Sequence, residues 1–320
     1  MENRCYLSVV IITYNKLTYL KAVLSNLTHL SVTNDIEFVI VNDGSTDNSK
    51  EFLENLEFPY KVKIINTPNG GSAIARNTGI KNSCGEFVLF LDNDIILEHN
   101  YLDKLILYTK KNPDCVHAGN IGLISIKNVP KIINKLCSGN PLPKTDLLKI
   151  SYLDAIYGTL PIAFKSDSNK DISCWWGLVT GGNMCFPRKM LDILDGFDES
   201  FKSWGPEDID LTFRAFKMGY KFKFHNDLAL FHLDHERNLL KVKQAMAKNV
   251  SLLLKKYKKS KEIIAYVNFF NGMMSLNDFN KICSQEKNNL QTVNLEEHYI
   301  NLDYYIKKGQ MINWKKYDND

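Results

Sequence analysis

The sequence predicts an α/β protein: a Rossmann-like, mostly parallel sheet with helices on both faces, followed by a helical C-terminal extension. Three observations predict it. Short β-branched apolar runs alternate with helix-spaced segments through the first hundred residues. The runs are apolar throughout, as in strands buried on both faces. Polar residues gather at one end of the runs, with Tyr14-Asn15 after the first, Asn42-Asp43-Gly44 after the second and Asp92-Asn93-Asp94 after the fourth. Ligands of open α/β sheets sit beyond the carboxyl ends of the strands.

The elements follow in order. Residues 7–13 (LSVVIIT) read as the first strand, and 17–30 as a helix with Leu17, Leu20, Val23, Leu24, Leu27 and Leu30 at helical spacing. Residues 36–41 (IEFVIV) form the second strand, and the cap-rich STDNS starts a helix running to about Leu56. Strand 62–65 (VKII), the loop TPNGG, the helix SAIARNTGIKNS and strand 86–91 (EFVLFL) complete the first half. Residues 137–173 are polar with several Pro and Gly, and read as a long loop or lid with little regular structure. Residues 189–195 and 207–219 look helical, and YKFKFHNDLALFHLD alternates like strands. From about residue 237 the pattern is helical. Leu239, Val242, Met246, Val250, Leu253 and Tyr257 share one face, and lysines cover much of the other.

Composition narrows the function. Of 320 residues, 44% are apolar, enough for a packed core and too many for general disorder. A net charge of +4 suits an anionic substrate and is weak for a nucleic-acid binder, so no nucleic-acid partner is expected. The seven cysteines are odd in number and scattered, with no C-x-x-C, and read as thiols in a reducing compartment. A Cys174–Cys185 bridge is conceivable but disfavoured. MENRCYLSVVIIT lacks a signal-peptide pattern, and no apolar stretch reaches the 18 or so residues that span a bilayer. The expected location is cytoplasmic, with peripheral contact at the inner face of a membrane left open. The basic helix at 239–261 could meet anionic lipid or an acidic acceptor, although a solvated face over an apolar stripe is the simpler reading.

Two groups of carboxylates carry candidate chemistry. Asp92 and Asp94 stand one residue apart, so on an extended chain they point opposite ways. A turn after the strand would let one reach a metal and the other a ligand hydroxyl; taken alone, the pair equally suits a solvated turn. Glu207, Asp208 and Asp210 lie at a predicted helix start. There they either complement the helix dipole, worth under about 1 kcal/mol each, or include a general base, worth roughly 10²–10⁴-fold.

The motifs VVIITYNK, VIVNDGSTDNS, NGGSAIARNTGI and GEFVLFLDND, in this order and spacing, resemble the family 2 glycosyltransferases, which have the nucleotide-sugar-binding GT-A fold. A second block, from GGNMCFPRK through GFDESFKSWGPEDID to MGYKF, is similar to the acceptor half of that family. It is also similar to the β-1,4-galactosyltransferases and the polypeptide N-acetylgalactosaminyltransferases. With FHLDHERN the resemblance reaches about residue 238. It implies a nucleotide-sugar-binding half (1–110), an acceptor-binding and catalytic half (111–238) and an extension (239–320).

The resemblance implies roles residue by residue. Thr13, Tyr14 and Asn15 line the base and ribose. Asp43 accepts from the uracil ring N–H, with capping of the helix near Ser45 as a compatible alternative. Arg76 forks to the base or diphosphate, or forms a structural salt bridge. Asp92 holds ribose or sugar hydroxyls, Asn93 adds a neutral hydrogen-bonding group, and Asp94 binds Mn²⁺ or Mg²⁺. His232 completes the metal site, with His235 as second choice, and imidazole favours Mn²⁺. Asp208 is the base, Glu207 its partner on acceptor or donor hydroxyls, and Asp210 is structural. Pro206 stands where many relatives have Gly. Trp204 offers a flat face to a sugar; Trp175 and Trp176 divide evenly between substrate contact and core. Gly181, Gly182 and Asn183 form a tight turn against a sugar.

The implied reaction is metal-dependent and inverting. It moves a hexose or N-acetylhexosamine from a UDP-sugar to a hydroxyl of a glycan, lipid-linked saccharide or peptide, forming a β-glycoside. The alternatives are a peptide or protein glycosyltransferase of the same fold, a nucleotidyltransferase, and a non-catalytic sugar- or nucleotide-binding protein. Tyr14-Asn15-Lys16 lacks the Gly-rich loop of a nucleotidyltransferase, and the intact acidic block argues against a mere binder.

Overall fold

A computed structural model describes residues 5–32, 35–153, 172–179 and 181–284. Strands β1 (Leu7–Thr13), β2 (Ile36–Asp43), β3 (Val62–Thr67) and β4 (Phe87–Asp92) form a parallel set, with helices α1 (Leu17–Thr28), α2 (Ser49–Glu54) and α3 (Ser72–Lys81) as crossovers. Side chains alternate across the sheet, so each strand feeds two cores. Val9, Ile11, Phe38, Ile40, Leu89 and Leu91 pack with α1 on one face. Val10, Val39, Val41, Val88 and Phe90 pack with Ala73, Ala75 and Ile80 of α3 on the other. Burial on both faces is why these strands carry no polar alternation.

The second half is mixed. After β5 (Ile95–Leu97) come α4 (Tyr101–Lys111), β6 (Cys115–Ile124), α5 (Val129–Cys137), α6 (Lys144–Ile150) and β7 (Ser151–Leu153). Then follow β8 (Met184–Pro187), α7 (Arg188–Leu194), α8 (Glu207–Lys217) and β9 (Lys221–Leu233). Spatial order is β3-β2-β1-β4-β8-β6-β9-β5, with β7 on the edge of β6. Beyond β4 the sheet is no longer purely parallel: β8 is antiparallel to β4 and β6, β5 is antiparallel to β9, and β6 is parallel to β9. The alternating run at 221–233 is one strand, with a register break where Gly119 pairs His225 and Asn120 pairs Ala229.

The expectation of a loop with little regular structure over 137–173 needs correction. Residues 144–153 form α6 and β7. Pro143 sits at the N-cap of α6, where proline's fixed φ is tolerated, so the prolines that suggest a loop delimit a helix instead. Residues 154–171 lie outside the described residues.

The C-terminal helices α9 (Leu239–Lys256), α10 (Lys261–Phe270) and α11 (Leu276–Ser284) join the first core through Met246, Val250, Leu253, Ile263 and Phe279. Residues 285–320 of the expected extension lie outside the described residues. No helix among the described residues is long and apolar enough to cross a membrane.

Candidate active site

The register brings the polar strand ends together. Thr13 pairs with Asn42, and Ile12 pairs with Asp92. Past Thr13 the chain turns sharply, because Asn15 and Lys16 both adopt left-handed φ values of 58°. Asn15 then fastens the loop after β2: its Oδ1 accepts from Thr46 N–H at 2.8 Å, and its own N–H donates to Ser45 Oγ at 2.8 Å. Tyr14 stands out from this turn, 48% exposed. Thr13 and Asn93 are buried, and Asn93 Nδ2 donates to Thr13 Oγ1 at 2.8 Å and to Asn15 O at 3.3 Å.

Asp43 is buried, and its oxygens accept from Gly70 N–H at 2.7 Å and Gly71 N–H at 2.9 Å. Burial pushes its carboxyl up, against these two bonds. It therefore ties the end of β2 to the NGG turn. The capping alternative belongs to a different residue: Asp47 Oδ1 accepts from Ser49 N–H at 3.0 Å at the start of α2.

Asp92 and Asp94 part company. Asp92 ends β4, whereas Asp94 leads into β5, which pairs with β9 at the far side of the curled sheet. Ile95 pairs with His232, and Leu233 N–H donates to Asp94 O at 2.8 Å, so the ladder itself carries Asp94 to the histidines. Asp94 Oδ2 lies 3.5 Å from His232 Nε2 and 3.3 Å from His235 Nε2. Both imidazoles thus reach Asp94, the second choice as closely as the first. Lys16 Nζ donates to Asp94 Oδ2 at 2.9 Å and to His235 Nε2 at 2.6 Å. Burial opposes ionisation of Asp94, but His232, His235 and Lys16 hold its carboxyl well below the usual range.

This cluster fits a divalent ion. One carboxylate and two imidazoles offer ligand atoms within 4.8 Å of one another. Mixed N and O donors of this kind suit divalent transition-metal ions. His235 Nδ1 lies 3.0 Å from Glu236 O, and a carbonyl can only accept, so Nδ1 carries the proton and Nε2 faces the cluster.

Asp92 turns to the other side. Arg76 is buried and donates to Asp92 Oδ1 at 3.0 Å and to Glu207 Oε1 at 2.8 Å. Its fork is thus spent on two carboxylates, the salt-bridge arrangement. Ser72 Oγ also donates to Glu207 Oε1, at 2.8 Å. Burial and the charge of Asp208 push Glu207 up to about 7, against the pull of Arg76. Asp208 lies in the first turn of α8, where Gly181 N–H reaches its Oδ2 at 2.8 Å and Ile209 N–H its Oδ1 at 2.8 Å. Burial raises its carboxyl too, with Arg76 and these bonds opposing. A Cβ on Gly182 would stand 2.9 Å from Asp92 Oδ2, and one on Gly181 2.7 Å from the Arg76 guanidinium, so the turn lies directly against these two side chains. Asn183 is buried beneath, accepting from Tyr101 OH at 2.8 Å and donating to Gly119 O at 2.6 Å.

The tryptophans separate. Trp204 is 51% exposed beside the acidic block. Trp176 is fully buried against Phe213, Phe216, Tyr266 and Phe279, and is core. Trp175 stacks on Phe224 at 4.8 Å. Asp210 is buried between Arg214, Lys256 and Tyr257, a structural network. Sequence reasoning missed Lys16 and Ser72; a lysine just past a strand end facing a carboxylate pair is the only signal for the first, and the second has none.

Comparison with known proteins identifies the architecture. TarS of S. aureus (residues 1–349), solved in complex with UDP-GlcNAc, aligns over 95% of this chain and 81% of its own, with a TM-score of 0.58 and 17% identity. Mannosyltransferase PcManGT of Pyrobaculum calidifontis, solved with GDP-Man and Mn²⁺, aligns over 99% and 88%, with a TM-score of 0.59 and 14% identity. The fold is therefore that of GT-A glycosyltransferases. Residues 8–169 match the Glycosyl transferase family 2 model, and 164–236 match the N-terminal domain of galactosyltransferase. The chain belongs to glycosyltransferase family 2. Chondroitin synthase of Escherichia coli is 23% identical over 261 residues, 78% of this chain but only 38% of that protein. The chain thus spans well under half the length of this curated relative.

Proposed function

We propose that this chain transfers a hexose or N-acetylhexosamine from a UDP-sugar to a hydroxyl of a saccharide acceptor, with inversion, so that an α-linked donor yields a β-glycoside. The observation that carries this reading is the split of the D-x-D motif, with Asp94 joined to two imidazoles in a set of ligand atoms and Asp92 against the acidic block. The TarS complex with UDP-GlcNAc supports a uridine nucleotide donor, and the chondroitin synthase relative supports a glycan acceptor.

Asp94, His232 and His235 would hold the divalent ion, whose chemistry is to offset negative charge on the leaving diphosphate. The chain's own residues do the rest. Thr13, Tyr14, Asn15 and Asp43 frame the nucleotide pocket at the strand ends, with Asn93 bracing it from within. Asp92, fixed by Arg76 and beside Gly182, faces the sugar. Trp204 offers its ring to the acceptor. Each oxygen of Asp208 accepts one backbone N–H and keeps a further lone pair, so the carboxylate is aimed and still able to take the acceptor's proton. Burial raises its basicity, which favours that transfer. Glu207, on Arg76 and Ser72, positions hydroxyls beside it.

Proton NMR of the first-formed product tests inversion, and a chelator tests the ion. A β-linked product and activity lost in chelator, then restored by Mn²⁺, are expected. An α-linked product or full activity in excess chelator would overturn the reading.

A further inference from the structure

The amino ends of the strands, opposite the candidate site, hold a second chemical cluster. Cys5 precedes β1 and Cys84 precedes β4. The parallel ladder brings them together, with Glu86 N–H donating to Cys5 O at 3.3 Å and Phe87 N–H to Tyr6 O at 2.9 Å. Gly85 N–H donates to Ser8 Oγ at 2.7 Å, and Cys84 N–H donates to Glu37 Oε1 at 2.6 Å. A Cβ on Gly85 would fall 2.5 Å from Ser8 N, so glycine allows the approach. The two sulfurs stand 3.2 Å apart.

We propose that Cys5 and Cys84 are a reversible dithiol–disulfide pair that fastens the entry of β1 to the entry of β4. Glu37 is fully buried beside them, and with the two sulfurs it also makes a three-ligand set for a metal. The charges argue for the disulfide. Lys61 and Lys63 lie 3.7 and 3.6 Å from Glu37 Oε2, so two ammonium groups, against the single one at Asp94, already answer the carboxylate a metal would need. Lys61 Nζ also lies 3.9 Å from Cys84 Sγ, which puts positive charge beside the more accessible sulfur. Cys5 is buried, and burial pushes its thiol up to about 12, so Cys84 is the sulfur that opens the exchange.

The oxidant is a low-molecular-weight disulfide such as oxidised glutathione. Cys84 thiolate attacks one glutathione sulfur and releases glutathione thiolate, giving a mixed disulfide. Cys5, losing its proton, attacks the Cys84 sulfur and releases the second glutathione. Two protein thiols are oxidised and one glutathione disulfide is reduced to two thiols.

The test uses the full chain incubated with oxidised glutathione, capped with N-ethylmaleimide and mapped as non-reduced peptides. The expected result is a peptide pair joining Cys5 to Cys84, cleaved by dithiothreitol and absent in Cys84→Ser. The oxidised protein should also melt several degrees higher than the reduced one, because closing a long loop restricts the unfolded chain. Cys5→Ser serves as the second variant and should stop at the glutathione adduct on Cys84. A wild-type protein that stops at that adduct, joins other cysteines, or leaves both thiols alkylated would overturn the proposal. So would stoichiometric zinc that protects both thiols.

Discussion

Asp92 and Asp94 stand one residue apart at the end of one strand, yet their surroundings are electrically opposite. Asp94 faces Lys16, His232 and His235, and its carboxyl is held well below the usual range. Asp92 joins a cluster of three carboxylates that share one guanidinium, where Glu207 is pushed up to about 7 and Asp208 is also raised. One side of the turn is short of negative charge and the other has too much. The difference teaches that a short acidic motif is a divider: a single peptide turn sets one carboxylate among an ammonium and two imidazoles and its neighbour among carboxylates that share a guanidinium.

The comparison breaks most sharply at Asp208. Asp208→Asn should lower sugar transfer by roughly 10²–10⁴-fold while UDP binding persists, read by product formation and calorimetry together; unchanged turnover would remove the base. Next is Arg76, the only cation among the described residues that the structure pairs with Glu207. Arg76→Met leaves a carboxylate buried without its partner and should cost about 3–5 kcal/mol of stability, measured by urea unfolding.

The acidic side also predicts a pH dependence. Glu207 binds its proton more tightly folded, near 7, than its ordinary value of 4.5. The native state then holds more protons than the unfolded state in that window, so stability falls as pH rises from about 4.5 to about 7. Glu207→Gln should flatten this slope, which is worth on the order of 3 kcal/mol across the window; an unchanged slope in melting temperature against pH would refute the assignment. The smallest effect is on the cationic side. Lys16 Nζ shares Asp94 with any bound ion, so Lys16→Met should tighten Mn²⁺ binding a few-fold, on the order of 1 kcal/mol, by calorimetry.

Much of this was legible in the sequence because the parallel strands are buried on both faces and announce themselves as unbroken apolar runs. The carboxyl ends of those strands then locate the candidate site. Strand β6 was not legible, for a physical reason. His117, Gly119, Asn120 and Gly122 interrupt its apolar pattern, and a Cβ on Gly119 would fall 2.3 Å from Leu228 O, so close packing against β9 requires the residue that hides the strand. Lys16 was illegible as a site residue because its reach depends on two consecutive left-handed residues, Asn15 and Lys16, neither of which is glycine. The roles of Arg76 and Asp43 as internal fasteners depend on which groups converge from distant segments, Glu207 for one and Gly70-Gly71 for the other. The fate of Trp176 depends on the C-terminal helices that enclose it, and these lie beyond the reach of the resemblance.

The central claim is that the Asp94 side of the divider holds a cation which in turn holds a nucleotide diphosphate. Calorimetric titration of UDP into the protein, with Mn²⁺ and again in excess chelator, tests it most directly, with Asp94→Ala run in parallel. Strong uptake that requires Mn²⁺ in the unaltered protein, and loses that requirement together with its strength in Asp94→Ala, is the predicted result. Equal uptake of UDP with and without the ion would contradict it.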